Sequence, residues 1–379
     1  MRAYLMTGPG EIALAEVADP LCKSDQILVA TEAVSICSTD VSYFRGHLSP
    51  ERWPVVPGHE YVGRVVDVGI DCPAPVAPGD RITYWGQTDF DGLAEFRCVT
   101  PIFPVRPDQA VETTWYTRRG FLDANQAATI RLAADLPAQR ATLIEPVTSV
   151  LRSILLNLPR PGDVAVVLGC GPTGLIATQL LRRCYGVSFL VALDTDPRRR
   201  EVAAEVGADL VLDPVAERET VESLAEEHHG ALADYVFDAL PYVDGASESG
   251  VVRSAAMRML RAGGRYIVFG ATDKPQSLDH WLMLAKGLQV QAAPFDVRAF
   301  PMSRTAHVMR VAAEMISSGL LDAGRLVTGG IGFDDESAVR RVFTGYGQDG
   351  SLRTSIRFGP AGSGPADLAE PQRDAALAC

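Results

Sequence analysis

The chain has 379 residues, of which 47% are hydrophobic, and a formal net charge of -12 at pH 7. This length predicts two domains rather than one, with enough apolar residues for a substantial core. The acidic excess argues against nucleic acid as a partner, and no stretch is apolar and long enough for a membrane span or a signal peptide. We therefore expect a soluble cytoplasmic protein that has no membrane partner.

The N-terminal third has the pattern of a β-rich domain. Residues 1–36 alternate apolar and polar side chains over short runs separated by Gly and Pro, and residues 56–69 form a loop that leads into a further strand. The seven cysteines contain no Cys-x-x-Cys pair. In a cytosolic chain such cysteines stay reduced, which leaves metal binding or packing as their roles.

Four side chains in the first 150 residues have the chemistry of a zinc site. Cys37 and His59 supply a thiolate and an imidazole from separate loops, and a catalytic zinc needs three protein ligands and an open position. Glu60 adjoins His59, while Glu145 lies in an apolar segment where an unpartnered carboxylate would be costly to bury. Glu60, Glu145 or both could complete the site.

A glycine-rich fingerprint organises the middle of the chain. Residues 164–168 have the pattern of a buried parallel strand, and residues 175–183 that of the following helix. The first glycine between them makes a tight turn, the second lets the backbone approach a pyrophosphate, and the third lets the helix pack on the strand. Because a helix N-terminus offers free N–H groups to phosphate, we assign this turn to a dinucleotide cofactor: Gly169, Gly171, Pro172, Thr173 and Gly174.

The next strand, residues 189–193, ends at Asp194, about 20 residues beyond the fingerprint. A carboxylate there would hold the ribose hydroxyls of the adenosine and repel the 2′-phosphate of NADP, so the sequence favours NAD. Arg199 is the best further cofactor candidate in a basic cluster, which also fits a solvated helix face. Strand and helix patterns then alternate to residue 293, as in a parallel sheet.

Five motifs in order resemble those of zinc-dependent medium-chain alcohol and polyol dehydrogenases. They are Cys-Ser-Thr-Asp at 37–40, Pro-Gly-His-Glu at 57–60, Pro-Gly-Asp-Arg at 78–81, Ile-Glu-Pro at 144–146, and the fingerprint. The resemblance covers about residues 1–358. It implies an α/β fold in which a Rossmann domain, a doubly wound parallel sheet, is inserted into a GroES-like β-rich catalytic domain. We expect the catalytic domain at 1–150 and 295–358, the NAD-binding domain at 151–294, and a disordered tail at 359–379.

The resemblance also implies roles for individual residues. Glu145 takes the place where simpler alcohol dehydrogenases carry a cysteine, so Cys37, His59 and Glu145 are expected as zinc ligands, with Glu60 a direct ligand or alternating with water. Asp40 would accept a hydrogen bond from His59.

Thr39 matches the hydroxyl of the family's proton relay. Further along this relay, where many relatives carry a histidine, the chain has Ser42. The outer end of the relay could therefore be Ser42, His47 or water.

The main departure from the family concerns a second zinc. Many relatives place four closely spaced cysteines between residues 85 and 120, where this chain has only Cys98. We therefore expect one catalytic zinc, no structural zinc, and a lobe packed by aromatic side chains: Trp85, Phe90, Phe96, Phe103, Trp115 and Tyr116.

The expected function is transfer of a hydride between NAD and a secondary alcohol or ketone of a polyol, cyclitol or sugar-like substrate, by a homodimer or homotetramer. Residues 42–46 and 54–60 give a short resemblance to aminocyclitol dehydrogenases of antibiotic biosynthesis. A zinc-free enoyl or quinone reductase and a non-catalytic nucleotide-binding protein of the same fold are competing hypotheses. Candidates for the substrate pocket are Tyr43, Phe121, Phe295 and Arg298.

Overall fold

The computed structural model describes residues 1–50, 52–86, 91–104, 126–243, 246–293, 300–348 and 352–359. Several residues with predicted roles lie outside these ranges: the tail from 360 onward, Phe90, Trp115, Tyr116, Phe121, Phe295 and Arg298. Across the described ranges, no helix has the length and apolar character needed to cross a membrane.

The first part of the chain is β-rich, as its alternating pattern predicts. Alternate side chains of the third strand are buried, which fits a strand with one face on a core. The elements are β1 (Arg2–Gly8), β2 (Glu11–Glu16), β3 (Ile27–Ser35), α1 (Ser38–Phe44), β4 (Glu60–Val68), β5 (Arg81–Trp85), β6 (Phe96–Ile102), β7 (Gln126–Arg131) and α2 (Ala138–Ala141).

The middle of the chain forms a parallel six-stranded sheet with the order β10-β9-β8-β11-β12-β13. This is the doubly wound order of a dinucleotide-binding fold. Its central strands are buried on both faces, which explains their continuous apolar runs. The elements are α3 (Ile144–Leu156), β8 (Val164–Leu168), α4 (Pro172–Cys184), β9 (Phe189–Leu193), α5 (Pro197–Val206), β10 (Leu210–Leu212), α6 (Arg218–Glu227), β11 (Ala233–Asp238), α7 (Ala246–Met259), β12 (Leu260–Val268), α8 (His280–Lys286) and β13 (Gln289–Ala292).

The chain then returns to the first sheet through α9 (Met302–Ser317), β14 (Gly329–Gly332), α10 (Glu336–Gly345) and β15 (Thr354–Arg357). The sheet order is β14-β15-β3-β4-β5-β7-β6, and an additional β3–β6 pairing closes five of these strands into a barrel. β15 pairs antiparallel with β3. The parallel sheet is therefore built from chain that lies between two parts of the barrel sheet.

Two helices begin earlier than the sequence pattern predicts. We expect a helix after Pro146 and another from Leu175, whereas α3 begins at Ile144 and α4 at Pro172. A proline is tolerated in the first turn because its missing N–H would have no partner within the helix. The consequence for the site is that Glu145 stands on the first turn of α3.

Candidate active site

The ends of three neighbouring strands, β3, β4 and β15, meet at one place. In the sheet register Ser35 lies opposite both Glu60 and Ser355. Because β3 runs antiparallel to both neighbours, the residues just after it meet those at the start of β4 and just before β15. This topology brings together Cys37, the pair His59 and Glu60, and Arg353.

Cys37, His59 and Glu60 form a compact buried cluster. One potential ligand atom from each lies within 4.8 Å of the others. Arg353, only 1% exposed, completes the cluster. Its Nη2 lies 2.5 Å from Oε1 of Glu60 and donates to Sγ of Cys37 at 3.8 Å.

Asp40 fixes the two loops that carry the thiol and the imidazole. Its Oδ2 accepts a hydrogen bond from the Cys37 N–H at 2.9 Å, and its Oδ1 accepts one from the Gly58 N–H at 2.9 Å. The same Oδ1 lies 3.5 Å from Nδ1 of His59. Gly58 has φ +96°, and a Cβ there would come within 2.7 Å of Val34 Cγ1, so the loop before His59 requires glycine.

The cluster favours an ionised thiolate. Burial opposes ionisation of Cys37, but the hydrogen bond and charge of His59 and the charge of Arg353 outweigh it and lower the pKa of the thiol to about 5. Burial likewise opposes the charged form of His59, but Asp40 and Cys37 raise its pKa well above the usual range. Burial raises the pKa of Glu60 against the opposing charge of Arg353.

Glu145 stands beside this cluster but is not one of its three compact members. Its buried carboxylate accepts a hydrogen bond at Oε1 from Oγ of Ser149, at 3.0 Å. Burial raises the pKa of Glu145, while the charge of His59 opposes that shift and the charge of Cys37 adds to it. The second predicted carboxylate is therefore electrostatically coupled to the cluster.

The relay candidates have different surroundings. Thr39 Oγ1 lies 3.7 Å from Sγ of Cys37, which places this hydroxyl at the cluster. Ser42 is buried one turn further along α1, and the described hydrogen bonds do not link it to Thr39. The ring of His47 packs against Tyr242 at 4.6 Å between centroids, next to the parallel sheet.

The residues present suit a zinc ion. A thiolate, an imidazole and carboxylates are the donors that zinc accepts. Oε2 of Glu60 is buried and has no hydrogen-bond partner among the described residues, although a buried carboxylate oxygen without one is costly. A metal ion at the cluster would coordinate this oxygen and would also balance the negative charge of the thiolate.

The fingerprint has the geometry of a phosphate-binding turn. α4 begins directly after Gly171, where a Cβ would meet no atom within 4 Å. A Cβ on Gly174 would come within 1.8 Å of the Gly169 carbonyl oxygen, so helix and strand can approach only with glycine there. Pro172 and Thr173 form the first turn of α4. The open face of this turn leaves its N–H groups available to an anion.

Asp194 lies at the end of β9 and borders a cavity. Its Oδ2 accepts a hydrogen bond from the Cys170 N–H at 2.6 Å, and its Oδ1 accepts one from the Asp196 N–H at 2.8 Å. Each carboxylate oxygen keeps a further lone pair for a ligand. The cavity measures about 430 Å³ and is lined by residues 194–199 together with Gly347 of the return segment.

Sequence reasoning missed Arg353 and Ser149. Arg353 precedes β15, the last strand in the described residues, and only the pairing of β15 with β3 brings it to Cys37. A cation near the predicted site could have been expected on electrostatic grounds, because a buried thiolate with two carboxylates requires one. Ser149 follows Glu145 by one helical turn, a spacing at which side chains of a helix meet.

Two family descriptions match this chain. The family described as alcohol dehydrogenase GroES-like domain matches residues 23–98, and the family described as zinc-binding dehydrogenase matches residues 172–304. With the barrel sheet, the doubly wound sheet and the clustered donors, these matches define the class of protein. The chain belongs to the zinc-type medium-chain dehydrogenase family.

Individual relatives agree with this membership. An erythritol/L-threitol dehydrogenase of Mycolicibacterium smegmatis is 28% identical over 353 residues, covering 86% of this chain and 90% of the relative. A sorbitol dehydrogenase of Halalkalibacterium halodurans is 26% identical over 284 residues, covering 73% and 78%. A solved structure from Escherichia coli CFT073, described as a short chain alcohol dehydrogenase complexed with NADH, has the same fold. Its TM-score is 0.73 at 20% identity, covering 94% of this chain and 99% of that chain.

Proposed function

We propose that this protein is a zinc- and NAD-dependent oxidoreductase that acts on a secondary alcohol or ketone of a polyol, cyclitol or sugar-like substrate. The observation that carries the proposal is the buried cluster of Cys37, His59 and Glu60 at the ends of β3 and β4. Similarity to erythritol/L-threitol and sorbitol dehydrogenases supports a polyol as the substrate class.

In this proposal Cys37 and His59 are permanent zinc ligands and the two carboxylates share the third position. Glu60 is the nearer one in this structure, where it pairs with Arg353. Asp40 orients the imidazole from the other side of the ring. When bound, zinc supplies a Lewis acid that lowers the pKa of an alcohol, and NAD supplies the hydride acceptor.

The assay that tests this function is a panel of polyols, cyclitols and sugars, in which NADH absorbance is followed on zinc-loaded protein. We expect turnover with at least one of them and elemental analysis of one zinc per chain, since residues 85–120 contain a single cysteine. Two tightly bound zinc ions per chain would contradict the single-site prediction. Protein that binds neither zinc nor NAD would contradict the proposed function itself.

Thr39 is the residue proposed to take the proton from the substrate hydroxyl at its Oγ1, with the buried Ser42 one turn further along α1 as the next candidate in the relay. Thr39→Val removes this hydroxyl and keeps the shape of the side chain. We expect turnover to fall roughly 10²-fold or more, the scale of a general acid–base contribution. Zinc content and NADH affinity should be unchanged. Unchanged turnover would show that the proton leaves by another route.

Asp194 is proposed to bind the ribose hydroxyls of NAD, and the wild type should therefore use NAD with higher kcat/KM than NADP. In Asp194→Ala we expect kcat/KM with NAD to fall about 10- to 100-fold, because a hydrogen bond to a charged group contributes roughly 1.5–3 kcal/mol. The kcat/KM of the same variant with NADP should not fall, because the carboxylate that repels the 2′-phosphate is removed.

Asp209 provides a matched control for this substitution. Its Oδ2 accepts a hydrogen bond from the Leu190 N–H, at the opposite end of the strand that leads to Asp194. Asp209→Ala should therefore leave the coenzyme preference unaltered. A wild-type enzyme that uses NADP as well as NAD would refute the role of Asp194.

We also propose a homodimer or homotetramer assembled through the parallel sheet. β13 is one of the two edge strands of this sheet as described, and on the neighbouring α8 the large side chains Trp281 and Leu284 are 71% and 68% exposed. An edge strand beside exposed apolar side chains is suited to pairing with a second copy. Light scattering of the purified protein measures the assembly, and a monomer at micromolar concentration would contradict this proposal.

A further inference from the structure

One face of α3 carries a chain of contacts that leads to Glu145. Glu145, Ser149 and Arg152 are spaced so that their side chains lie on the same side of this helix. Trp85, the last residue of β5, covers this face. Its Nε1 donates a hydrogen bond to Oγ of Ser149 at 2.7 Å, and that hydroxyl donates to Oε1 of Glu145 at 3.0 Å.

The direction of the hydrogen bonds in this chain is fixed by chemistry. An indole nitrogen can only donate, so the Ser149 oxygen is the acceptor from Trp85. The single hydroxyl hydrogen of Ser149 is then directed at the Glu145 carboxylate. Ser149 is the only residue in the described ranges that donates a hydrogen bond to the Glu145 carboxylate. One oxygen of the carboxylate is thereby held, and the other is left for a ligand.

Arg152 holds the indole in place from the other side. Its Cζ lies 4.1 Å from the centroid of the Trp85 ring and 4.9 Å from that of Phe300, and it is 3% exposed. Cation–π stacking of a desolvated guanidinium is among the stronger forms of this contact. The indole is therefore fixed with its N–H toward Ser149.

We propose that Trp85 and Ser149, with Arg152 stacked behind the indole, are positioning residues that hold Glu145 as a zinc ligand. This inference rests on the proposed function, in which Glu145 shares the third ligand position with Glu60. Its physical basis is that a metal-binding carboxylate is oriented by the hydrogen bond on its other oxygen. Arg152 holds Trp85 in place by stacking, and its charge also interacts with Glu145.

The test measures zinc affinity by competition with a chelator, without an activity assay. Ser149→Ala should weaken zinc binding about 10- to 100-fold, the usual effect of removing a residue that orients a ligand. Trp85→Phe, which keeps the stacking ring and removes only the N–H, should weaken zinc binding in the same direction. Ser149→Thr, which keeps the hydroxyl, should bind zinc with wild-type affinity.

Ser153 provides the matched control, because it is a buried serine one turn further along α3 whose hydroxyl has no described partner. Ser153→Ala should bind zinc as the wild type does. In Glu145→Ala, which should itself bind zinc more weakly, the added change Ser149→Ala should have no further effect. The absorption spectrum of the cobalt-substituted protein should change in Ser149→Ala and remain unchanged in Ser153→Ala.

The outcomes separate the two proposals. If Glu145→Ala weakens zinc binding while Ser149→Ala and Trp85→Phe do not, the positioning chain is refuted and the proposed function stands. If Ser149→Ala weakens binding equally in the absence of Glu145, Ser149 acts elsewhere and the chain is again refuted. If Glu145→Ala binds zinc as tightly as the wild type, Glu145 is not a ligand, and both the ligand assignment and the positioning chain fail.

Discussion

Cys37→Ala should lose zinc and turnover together. The thiolate is the strongest donor of the cluster, and its loss should reduce zinc affinity by more than the roughly 100-fold upper end expected for a residue outside the ligand set. Turnover should fall by roughly 10³-fold or more, since Lewis-acid polarisation contributes several kcal/mol. Elemental analysis after gel filtration and the NADH-coupled assay measure the two effects.

Cys184 offers the control for this substitution. It is an exposed free cysteine at the end of α4, far along the chain from the cluster. Cys184→Ala should keep zinc content and turnover. Should Cys37→Ala retain one zinc per chain with wild-type affinity, the metal would have to lie outside the cluster of Cys37, His59 and Glu60.

Arg353→Met should destabilise the metal-free protein by about 3–5 kcal/mol. Arg353 is the cation paired with the buried carboxylate of Glu60, and removing one partner of a buried ion pair leaves an uncompensated charge. Urea unfolding of the metal-free protein measures the loss. Zinc should restore part of it, because the metal replaces the missing positive charge near Glu60.

Two further variants separate this effect from the general loss of an arginine. Arg325 pairs with Glu205 at 3.2 Å on the surface, so Arg325→Met should change the free energy of unfolding by less than about 1 kcal/mol. Adding Glu60→Gln to Arg353→Met should recover stability, since it removes the unpaired charge. A loss below about 1 kcal/mol in Arg353→Met would mean that the Glu60 carboxylate is compensated by another group or takes up a proton, the direction in which burial already shifts its pKa.

Local sequence patterns predict much of this architecture. The strands at 164–168 and 189–193 occur as predicted, because a doubly covered parallel strand leaves a continuous apolar run that few other structures produce. The meeting of Cys37 with His59 and Glu60 follows from motifs that resemble those of a known family. The roles assigned to these residues remain predictions that the proposed substitutions test.

The contacts that complete the candidate site could not be read from local patterns. Arg353 reaches Cys37 only because β15 pairs with β3, and such a long-range pairing leaves no periodic signal. Trp85 and Ser149 lie on two separate elements, and whether they meet depends on how α3 packs on β5. The first turn of α3 could not be predicted from local patterns either. It contains a proline, and a proline in the sequence usually indicates a helix boundary.

The pairing of β15 with β3 has a consequence for synthesis on the ribosome. Cys37 and Arg353 are separated by 316 positions in the chain. At elongation rates of about 5–20 residues per second, the thiol is made roughly 15–60 s before its arginine. The whole nucleotide-binding sheet is translated in that interval. Until β15 is made, residues 33–35 of β3 lack their pairing partner along one edge. Pulse proteolysis of stalled nascent chains should therefore find the segment around Cys37 more easily cleaved until β15 has left the ribosome and pairs with residues 33–35 of β3.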